Sequence, residues 1–263
     1  MNSVGEMDME ISASIVTYNN QNEIRGVLDS LINSSCIDSM QIYVVDNCSQ
    51  DDTINIVNKE YPSVTVIHSP KNGGYGFGHN QAIKITNAKY HFVINPDILF
   101  DTSLIERIVE FLDTHEDIVL AIPAVYDEAG ILKYPPKRNP RVRYLLSRFL
   151  PNNKLTNSWR EEYEMRHQCD KDEEYLEIEV CSGSFMSMRM DAVRKIGGFD
   201  ERYFMYFEDM DISRQLSRFG RIVCMKHFKV VHEGKRAAHH SNNAKKMMLD
   251  SMIKYFNKWG WRF

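Results

Sequence analysis

The sequence predicts an α/β protein with a mostly parallel central sheet flanked by helices. Short β-branched runs alternate with amphipathic helical stretches through residues 11–127. That alternation sets successive strands in one sheet through right-handed crossovers. Four strand ends or the turns after them are polar or glycine-rich: Thr17–Asn19, Asp46–Asn47, Asn72–Gly78 and Asn95–Asp97. Ligands of such sheets bind beyond the carboxyl ends of the strands, so these four segments are the places to look.

The elements follow in order. "ISASIVTY" (11–18) reads as a buried strand, and apolar residues at 24, 27, 28, 31 and 32 mark a helix. "QIYVVD" (41–46) is the second strand, followed by a helix for which Ser49, with Asp52 three residues on, is the expected N-cap. "SVTVIHS" (63–69) is the third strand, a glycine-rich turn leads into a helix through "HNQAIKIT", and "YHFVINPD" (90–97) holds the fourth. "SLIERIVEFLDTH" is helical and "DIVLAIPAVYD" is the fifth strand. Residues 135–175 are basic and proline-rich, then acidic, and read as a surface excursion. Regular patterning resumes at "IEVCSGSF", and "NNAKKMMLDSMIKYFNKWGWRF" closes as one more helix.

Composition narrows the function classes. A formal net charge of −4 argues against a nucleic-acid binder. Five scattered cysteines (Cys36, Cys48, Cys169, Cys181, Cys224) form no C-x-x-C pair, which suggests reduced thiols and no zinc site. The N-terminal "MNSVGEMDME" is acidic and lacks an apolar core, and no apolar run reaches the roughly 20 residues of a membrane span. The expected location is the cytoplasm.

Each candidate motif has a plainer alternative. Asp46-Asn47 suits a ribose or base edge, or an Asx-turn with no ligand. "KNGGYGFGHN" (71–80) suits a phosphate cradle, or a permissive loop before a helix. In "INPD" (94–97), Asp97 suits a divalent cation that shares its shell with phosphate and water; the alternative is a strand–turn. His232 follows the apolar "FKVV", where a lone histidine is more often a structural hydrogen-bonder; His239 and His240 read as solvated. In "YFMYFEDMDI" (203–212), Glu208 and Asp211 share one helix face and Asp209 points about 100° away. Acidic residues favour a first helical turn anyway. The neighbouring Tyr203, Phe204, Tyr206 and Phe207 argue for a drier site in which a carboxylate becomes a better base.

Together these segments resemble glycosyltransferase family 2, the inverting nucleotide-sugar transferases of GT-A fold. The matching stretches are "SIVTYN", "VVDNCSQDDT", "NGGYGFGHN", "INPD", "CSGSFMSMRMDAVRKIGGFDERYFMYFEDMD" and "VVHEG", in the family's order across roughly residues 11–235. The wording of "GYGFGHN" and "YFMYFEDMD" is most similar to bacterial rhamnosyltransferases of O-antigen and cell-wall assembly, which use dTDP-L-rhamnose and a lipid-linked acceptor.

The resemblance implies roles. Thr17, Tyr18 and Asn19 would line the base pocket, Asp46 would contact base or ribose, and Asn72, Gly73, Gly74 and Asn80 would flank the nucleotide. Asp97 stands where the family's D-x-D metal motif ends, with Asn95 in place of its first acid, and His232 would complete the site for Mg²⁺ or Mn²⁺. Asp209 would be the catalytic base, with Glu208 orienting it or the acceptor. The implied organisation is a transferase domain over residues 1–240 and a basic-aromatic helix over 241–263. Within that domain, 1–125 would bind the dTDP- or UDP-sugar and 126–240 a polyprenyl-diphosphate-linked saccharide. Peripheral membrane contact through "RVRYLLSRFL" (141–150) and "MIKYFNKWGWRF" (252–263) is a further expectation. The rival readings are another family 2 sugar transfer, a sugar-1-phosphate nucleotidyltransferase and a non-catalytic nucleotide-sugar module. "TYNNQNE" has no glycine or lysine to serve the nucleotidyltransferase loop.

Overall fold

A computed structural model describes residues 10–133, 137–147, 150–165, 173–233 and 242–263. His239, His240 and Cys169 lie outside the described residues, as do 148–149 of the basic stretch.

Strands β1 (Ile11–Thr17), β2 (Met40–Asp46), β3 (Thr65–His68) and β4 (Tyr90–Ile94) are joined by helices α1 (Ile24–Ile32), α2 (Thr53–Glu60) and α3 (Tyr75–Ile83). They form the parallel part of the sheet, in the order β3-β2-β1-β4. The short β5 (Ile98–Phe100) and α4 (Leu104–Thr114) lead to β6 (Ile118–Tyr126). The strand beside β4 is β8 (Phe185–Arg189), antiparallel to both β4 and β6. β9 (Arg221–His232) runs parallel to β6 and pairs antiparallel with β5 and with β7 (Tyr175–Glu177). The parallel half is the one the alternating pattern predicts, and the return strand β8 makes the whole sheet mixed. The pairing β4–β8 sets Ile94 opposite Phe185, so the ends of "INPD" and "CSGSF" meet at one edge of the cleft.

Helices cover both faces. Ile24, Val27, Leu28 and Leu31 of α1 and Ile105, Ile108 and Leu112 of α4 bury one side of the sheet. Ile83 of α3, Val193 of α7 (Met190–Ile196) and Ile212 and Leu216 of α8 (Glu208–Leu216) bury the other. The 3.6-residue spacing of these apolar positions is what makes each helix one-sided. The excursion carries two helices, α5 (Val142–Leu146) and α6 (Lys154–Glu164); α6 starts on a capping box from Asn153 and Thr156. Tyr144 and Tyr163 stack beneath them at 5.2 Å. The last helix, α9 (Asn242–Trp259), packs Tyr255 and Phe256 against Tyr203 and Phe207.

β1 is two-faced in a way its alternation conceals. Ile11, Ala13 and Ile15 enter the core. Ser12 and Ser14 instead feed a buried chain: Ser12 Oγ–His91 Nδ1 2.7 Å, His91 Nε2–Ser14 Oγ 2.8 Å, Ser14 Oγ–His79 Nδ1 2.7 Å. Burial pushes His91 down to about 3 and His79 well below its usual range, so both imidazoles are neutral at pH 7. Sequence reading gave neither histidine a role, because partners far apart in the chain leave no local pattern.

Candidate active site

The ends of β1 and β2 carry two interlaced loops. Thr17 is buried, and its hydroxyl faces the Val45 carbonyl at 3.5 Å. Tyr18, the next residue, is exposed. Asn19 has φ 59°, and its Oδ1 accepts the Gln50 N–H at 2.7 Å while its own N–H donates to Ser49 Oγ at 3.0 Å. Ser49 is therefore not the cap of α2. The cap position is Asp52, whose side chain makes no cap bond; the neighbouring Asp51 instead accepts the Thr53 N–H at 3.0 Å and the Gln21 N–H at 3.1 Å, while Ser49 is committed to the Asn19 loop. Asp46 is buried; its Oδ1 accepts the Ser49 N–H at 2.8 Å and its Oδ2 lies 3.8 Å from His68 Nδ1. One oxygen thus ties down the turn after β2, through the N–H three residues on, and the other faces His68.

The glycine-rich segment divides. α3 begins at Tyr75, so Gly76 and Gly78 are helical. A Cβ on Gly78 would meet Val16 at 2.7 Å, and one on Gly76 would meet Phe199 at 2.7 Å. These two glycines allow close packing, and only Asn72–Gly74 form the loop that was expected to extend through the whole segment. Asn72 Oδ1 accepts the Gly74 N–H at 3.3 Å, and a Cβ on Gly73 would strike the Phe77 ring. Gly74 has φ 94°, and its carbonyl accepts from Asn47 Nδ2 at 3.0 Å. The Tyr75 N–H donates to the Phe204 carbonyl at 3.0 Å. A Cβ on Gly74 would lie 2.0 Å from that same oxygen. Gly74→Ala is expected to cost at least about 1 kcal/mol, from forced backbone strain together with the clash. A thermal melt should then drop by at least about 2–4 °C; a melt matching the parent chain would show that the contact is unimportant. Asn80 is not brought to the cleft. It is buried and braces the turn that follows α7, donating to the Phe199 carbonyl and Glu201 Oε1 at 2.9 Å and accepting the Phe199 N–H at 2.9 Å.

Asp97 and His232 face each other, and Asn95 lies two residues before Asp97 in the turn between β4 and β5. Asp97 Oδ1 lies 3.6 Å from His232 Nε2, and the register sets Ile98 opposite His232. The Asn95 N–H donates to the Ser184 carbonyl at 3.0 Å, and the Glu233 N–H to the Asp97 carbonyl at 3.0 Å, so both loop ends are held by backbone. Neighbouring ligand atoms of a six-coordinate ion with bonds of about 2.1 Å sit about 3 Å apart. A carboxylate and an imidazole at this separation fit two positions of such a shell, with small adjustment. Among the described residues no third His, Cys, Asp or Glu joins them. This donor set suits a hard divalent ion that takes its remaining ligands from phosphate and water.

The carboxylates of "FEDMD" do three different jobs. Tyr206 and Phe207 have φ 70° and 66°, a left-handed pair that turns the chain sharply into α8. Glu208 follows, 7 % exposed, with Oε2 buried and unpartnered. Burial, reinforced by the Asp209 charge, pushes its carboxyl up to about 8. Burial also raises Asp209, opposed by the Met210 N–H at 2.8 Å, the Lys137 charge and the Gly183 N–H at 3.4 Å. Those contacts oppose the effect of burial at Asp209, whereas Glu208 Oε2 has no side-chain partner and Glu208 holds its proton at neutral pH. The Tyr75 hydroxyl donates to the Gly183 carbonyl, and it feels the charges of Glu208, Asp209 and Asp97 together. That one phenol thus ties the metal-type residues and the candidate base to a common cleft.

Glu208 carries a stability consequence. Its native carboxyl holds a proton that the unfolded chain releases near its ordinary 4.5. The folded state therefore binds more protons between pH about 4.5 and about 8, and stability falls as pH rises through that window. Glu208→Gln, uncharged throughout, is expected to flatten the fall. Melting curves at intervals from pH 5 to pH 8 check it, and parallel slopes for the two proteins would contradict the assignment.

The aromatics beside the carboxylates do not form one wall. Tyr203 and Phe207 are buried against α9, and only Phe204 and Met205 stand exposed near the cleft. Asp211, fully buried, accepts from Lys258 Nζ at 2.8 Å, Trp259 Nε1 at 2.7 Å and Gln215 Nε2 at 2.8 Å. It joins α8 to the C-terminal helix and has no free oxygen for a substrate.

The family model described as "Glycosyl transferase family 2" matches residues 12–197. The chain is 26% identical over 197 residues to an N-acetylglucosaminyl-diphospho-decaprenol L-rhamnosyltransferase of Mycobacterium tuberculosis, covering 69% of this chain and 62% of that protein. It is 26% identical over 244 residues to the rhamnosyltransferase WbbL of Escherichia coli, covering 88% of this chain and 84% of the relative. Among solved structures, TarS of S. aureus superposes with TM-score 0.61 at 17% identity over 94% of this chain and 72% of that one. The Pyrobaculum calidifontis mannosyltransferase PcManGT, solved with GDP-Man and Mn²⁺, gives 0.64 at 15% over 94% of this chain and 64% of that one. These neighbours share the GT-A fold. With more than half of its length matched by the family model, the chain belongs to glycosyltransferase family 2.

Proposed function

We propose that the protein is an inverting glycosyltransferase that moves L-rhamnose from dTDP-L-rhamnose to a hydroxyl of a polyprenyl-diphosphate-linked saccharide in surface polysaccharide (O-antigen) synthesis. The observation that carries the reading is that Asp209, next to the buried and unpartnered Glu208, shares one cleft with Asp97 around the Tyr75 hydroxyl. The two rhamnosyltransferase relatives support the choice of sugar, and the printed diphospho-decaprenol acceptor of one supports the acceptor class.

The chemistry is a single displacement. Asp209 takes the proton of the acceptor hydroxyl as its oxygen attacks the anomeric carbon. The bond from that carbon to the diphosphate oxygen breaks, and the nucleoside diphosphate leaves. Glu208, holding its proton, adds no second negative charge beside the base. Asp97 and His232, with Asn95 at the edge, would hold Mg²⁺ or Mn²⁺, which supplies charge neutralisation for the departing diphosphate. Thr17, Tyr18, Asn19 and Asp46 would bind base and ribose, and Asn72–Gly74 the diphosphate side. Most of the rate would come from positioning and charge stabilisation. No described helix is long and apolar enough to cross a membrane, so a lipid-linked acceptor would be met from the surface in peripheral contact.

Incubation with dTDP-L-rhamnose, UDP-hexoses or UDP-galactofuranose, a prenyl-diphosphate-linked N-acetylglucosamine and Mg²⁺ or Mn²⁺ tests the reading. dTDP release coupled to a longer saccharide supports it, and UDP release with hexose transfer redirects the donor. Pyrophosphate from a nucleoside triphosphate, or binding without turnover, would overturn it. A thermal-shift screen against the same donors ranks them independently, since a ligand of the native state raises its apparent stability.

A further inference from the structure

A second polar cavity lies away from the cleft. About 100 Å³ in volume, it is lined by Arg138, Arg141, Arg214, Arg262, Glu162 and Glu179 among others. Its two carboxylates are already engaged. Glu162 receives Arg143 Nη2 on both oxygens at 2.8 Å. Glu179 pairs with Arg138 Nη1 at 3.3 Å and accepts Asn139 Nδ2 at 2.8 Å. Among the described residues, Arg141, Arg214 and Arg262 have no carboxylate within ion-pair distance. Arg214 is held in place instead, stacked on Trp259 at 4.5 Å and donating to the Tyr255 hydroxyl at 3.3 Å. The lining thus carries four guanidiniums against two carboxylates that are bonded to Arg143, Arg138 and Asn139, and the guanidiniums left without a direct ion pair match phosphate oxygens with paired N–H donors.

Two connections tie this cavity to the cleft. Arg214 sits on α8 five residues beyond Asp209, about 7.5 Å along the helix axis. Arg138 follows Lys137, which bridges to Val180 and whose charge reaches Asp209. A third connection runs outward. The Val142 N–H donates to the Arg262 carbonyl at 2.9 Å, which clasps the start of α5 to the chain's end. Leu146 and Leu150 (each 43 % exposed), at and just beyond the end of α5, and Trp261 (56 %) and Phe263 (66 %), either side of Arg262, lie on the two segments that this bond joins. Arginines flanked by exposed aliphatic and aromatic side chains suit a charged head group with a hydrocarbon tail.

We infer that this cavity binds the diphosphate of the lipid-linked acceptor through Arg141, Arg214 and Arg262, with the first isoprene units lying on Leu146, Leu150, Trp261 and Phe263. The inference rests on the proposed acceptor class and adds the place where that acceptor's anionic group is held. The saccharide between diphosphate and hydroxyl would then extend along α8 towards Asp209.

Farnesyl diphosphate is the probe, measured by titration calorimetry in the presence of saturating dTDP to occupy the donor site. The parent chain is expected to bind it, and Asp97→Asn to bind it equally. R141Q/R262Q, at two exposed positions, is expected to bind at least tenfold more weakly, since each substitution removes charge-assisted hydrogen bonds. A melting temperature within a few degrees of the parent would show that the double variant is folded, and R141K/R262K should recover part of the affinity. No binding by the parent chain, equal affinity in R141Q/R262Q, or equal affinity for farnesol would overturn the inference. So would phosphatidylglycerol vesicles taking up the parent but not the double variant while both bind farnesyl diphosphate alike, because the arginines would then read a bilayer. Should the probe bind as expected while no donor sugar is transferred, the enzymatic reading falls and the diphosphate site stands.

Discussion

Asp209→Asn is expected to lower turnover by about 10²–10⁴-fold while leaving donor affinity nearly unchanged. The carboxamide keeps the shape of the side chain and can still accept the Met210 N–H, the shorter of the two backbone contacts at 2.8 Å. The contact it gives up is the Gly183 N–H at 3.4 Å, too long to anchor the loop. What disappears is the ability to take a proton. The donor-side residues Thr17, Tyr18, Asn19 and Asp46 belong to other elements and are untouched. Single-turnover product formation alongside a donor thermal shift separates the two effects. Turnover within a few-fold of the parent, with donor still bound, would remove Asp209 from the role of base.

The second large effect concerns stability. Asp211→Ala is expected to cost about 3–5 kcal/mol, the range for breaking a buried ion pair from one side. Lys258 would keep Asp200 as a partner at 2.8 Å, but the Trp259 Nε1–H and the Gln215 amide would both lose theirs. Buried donors left without acceptors account for much of such a loss. The melting temperature should fall by about 10 °C. The same change frees α8 from α9, so residual activity should fall by more than the unfolded fraction explains. Chemical denaturation of Asp211→Ala and Lys258→Met checks the assignment, and costs below about 1 kcal/mol in both would show that the junction is peripheral.

The sequence made the parallel half of the sheet readable because each strand and helix there declares itself by local periodicity. β1 to β4, α1, α2 and α4 fall where the spacing of apolar residues puts them, whereas α3 starts earlier than expected, at Tyr75, because its glycines are helical. The cleft was legible for the same reason: polar residues at successive strand ends must converge. β8 was not legible as the neighbour of β4, since antiparallel return pairing depends on long-range contacts that leave no period in the chain. Glu208 and Asp211 were correctly assigned to one helix face, and both are buried. Burial gave them opposite fates, because Asp211 meets Lys258 and Trp259 while Glu208 Oε2 meets no partner. Asn80 looked like a nucleotide contact because it follows the glycine run, yet the turn at Phe199 claims its amide. An unpaired carboxylate and a paired one look alike in sequence, as do a ligand-facing and a bracing asparagine.

The hydrogen bond from the Tyr75 N–H to the Phe204 carbonyl joins the loop assigned to the donor with the loop that presents Asp209. Gly74 is the residue that lets the two backbones approach so closely. Two sites that share a strut are thermodynamically linked: whatever free energy one ligand gains from the other's presence, the second gains equally from the first. A donor that stiffens Asn72–Gly74 spares the acceptor some of the entropy of ordering residues 204–207. In binding terms this is positive cooperativity, with either ligand expected to bind more tightly to protein that already holds the other.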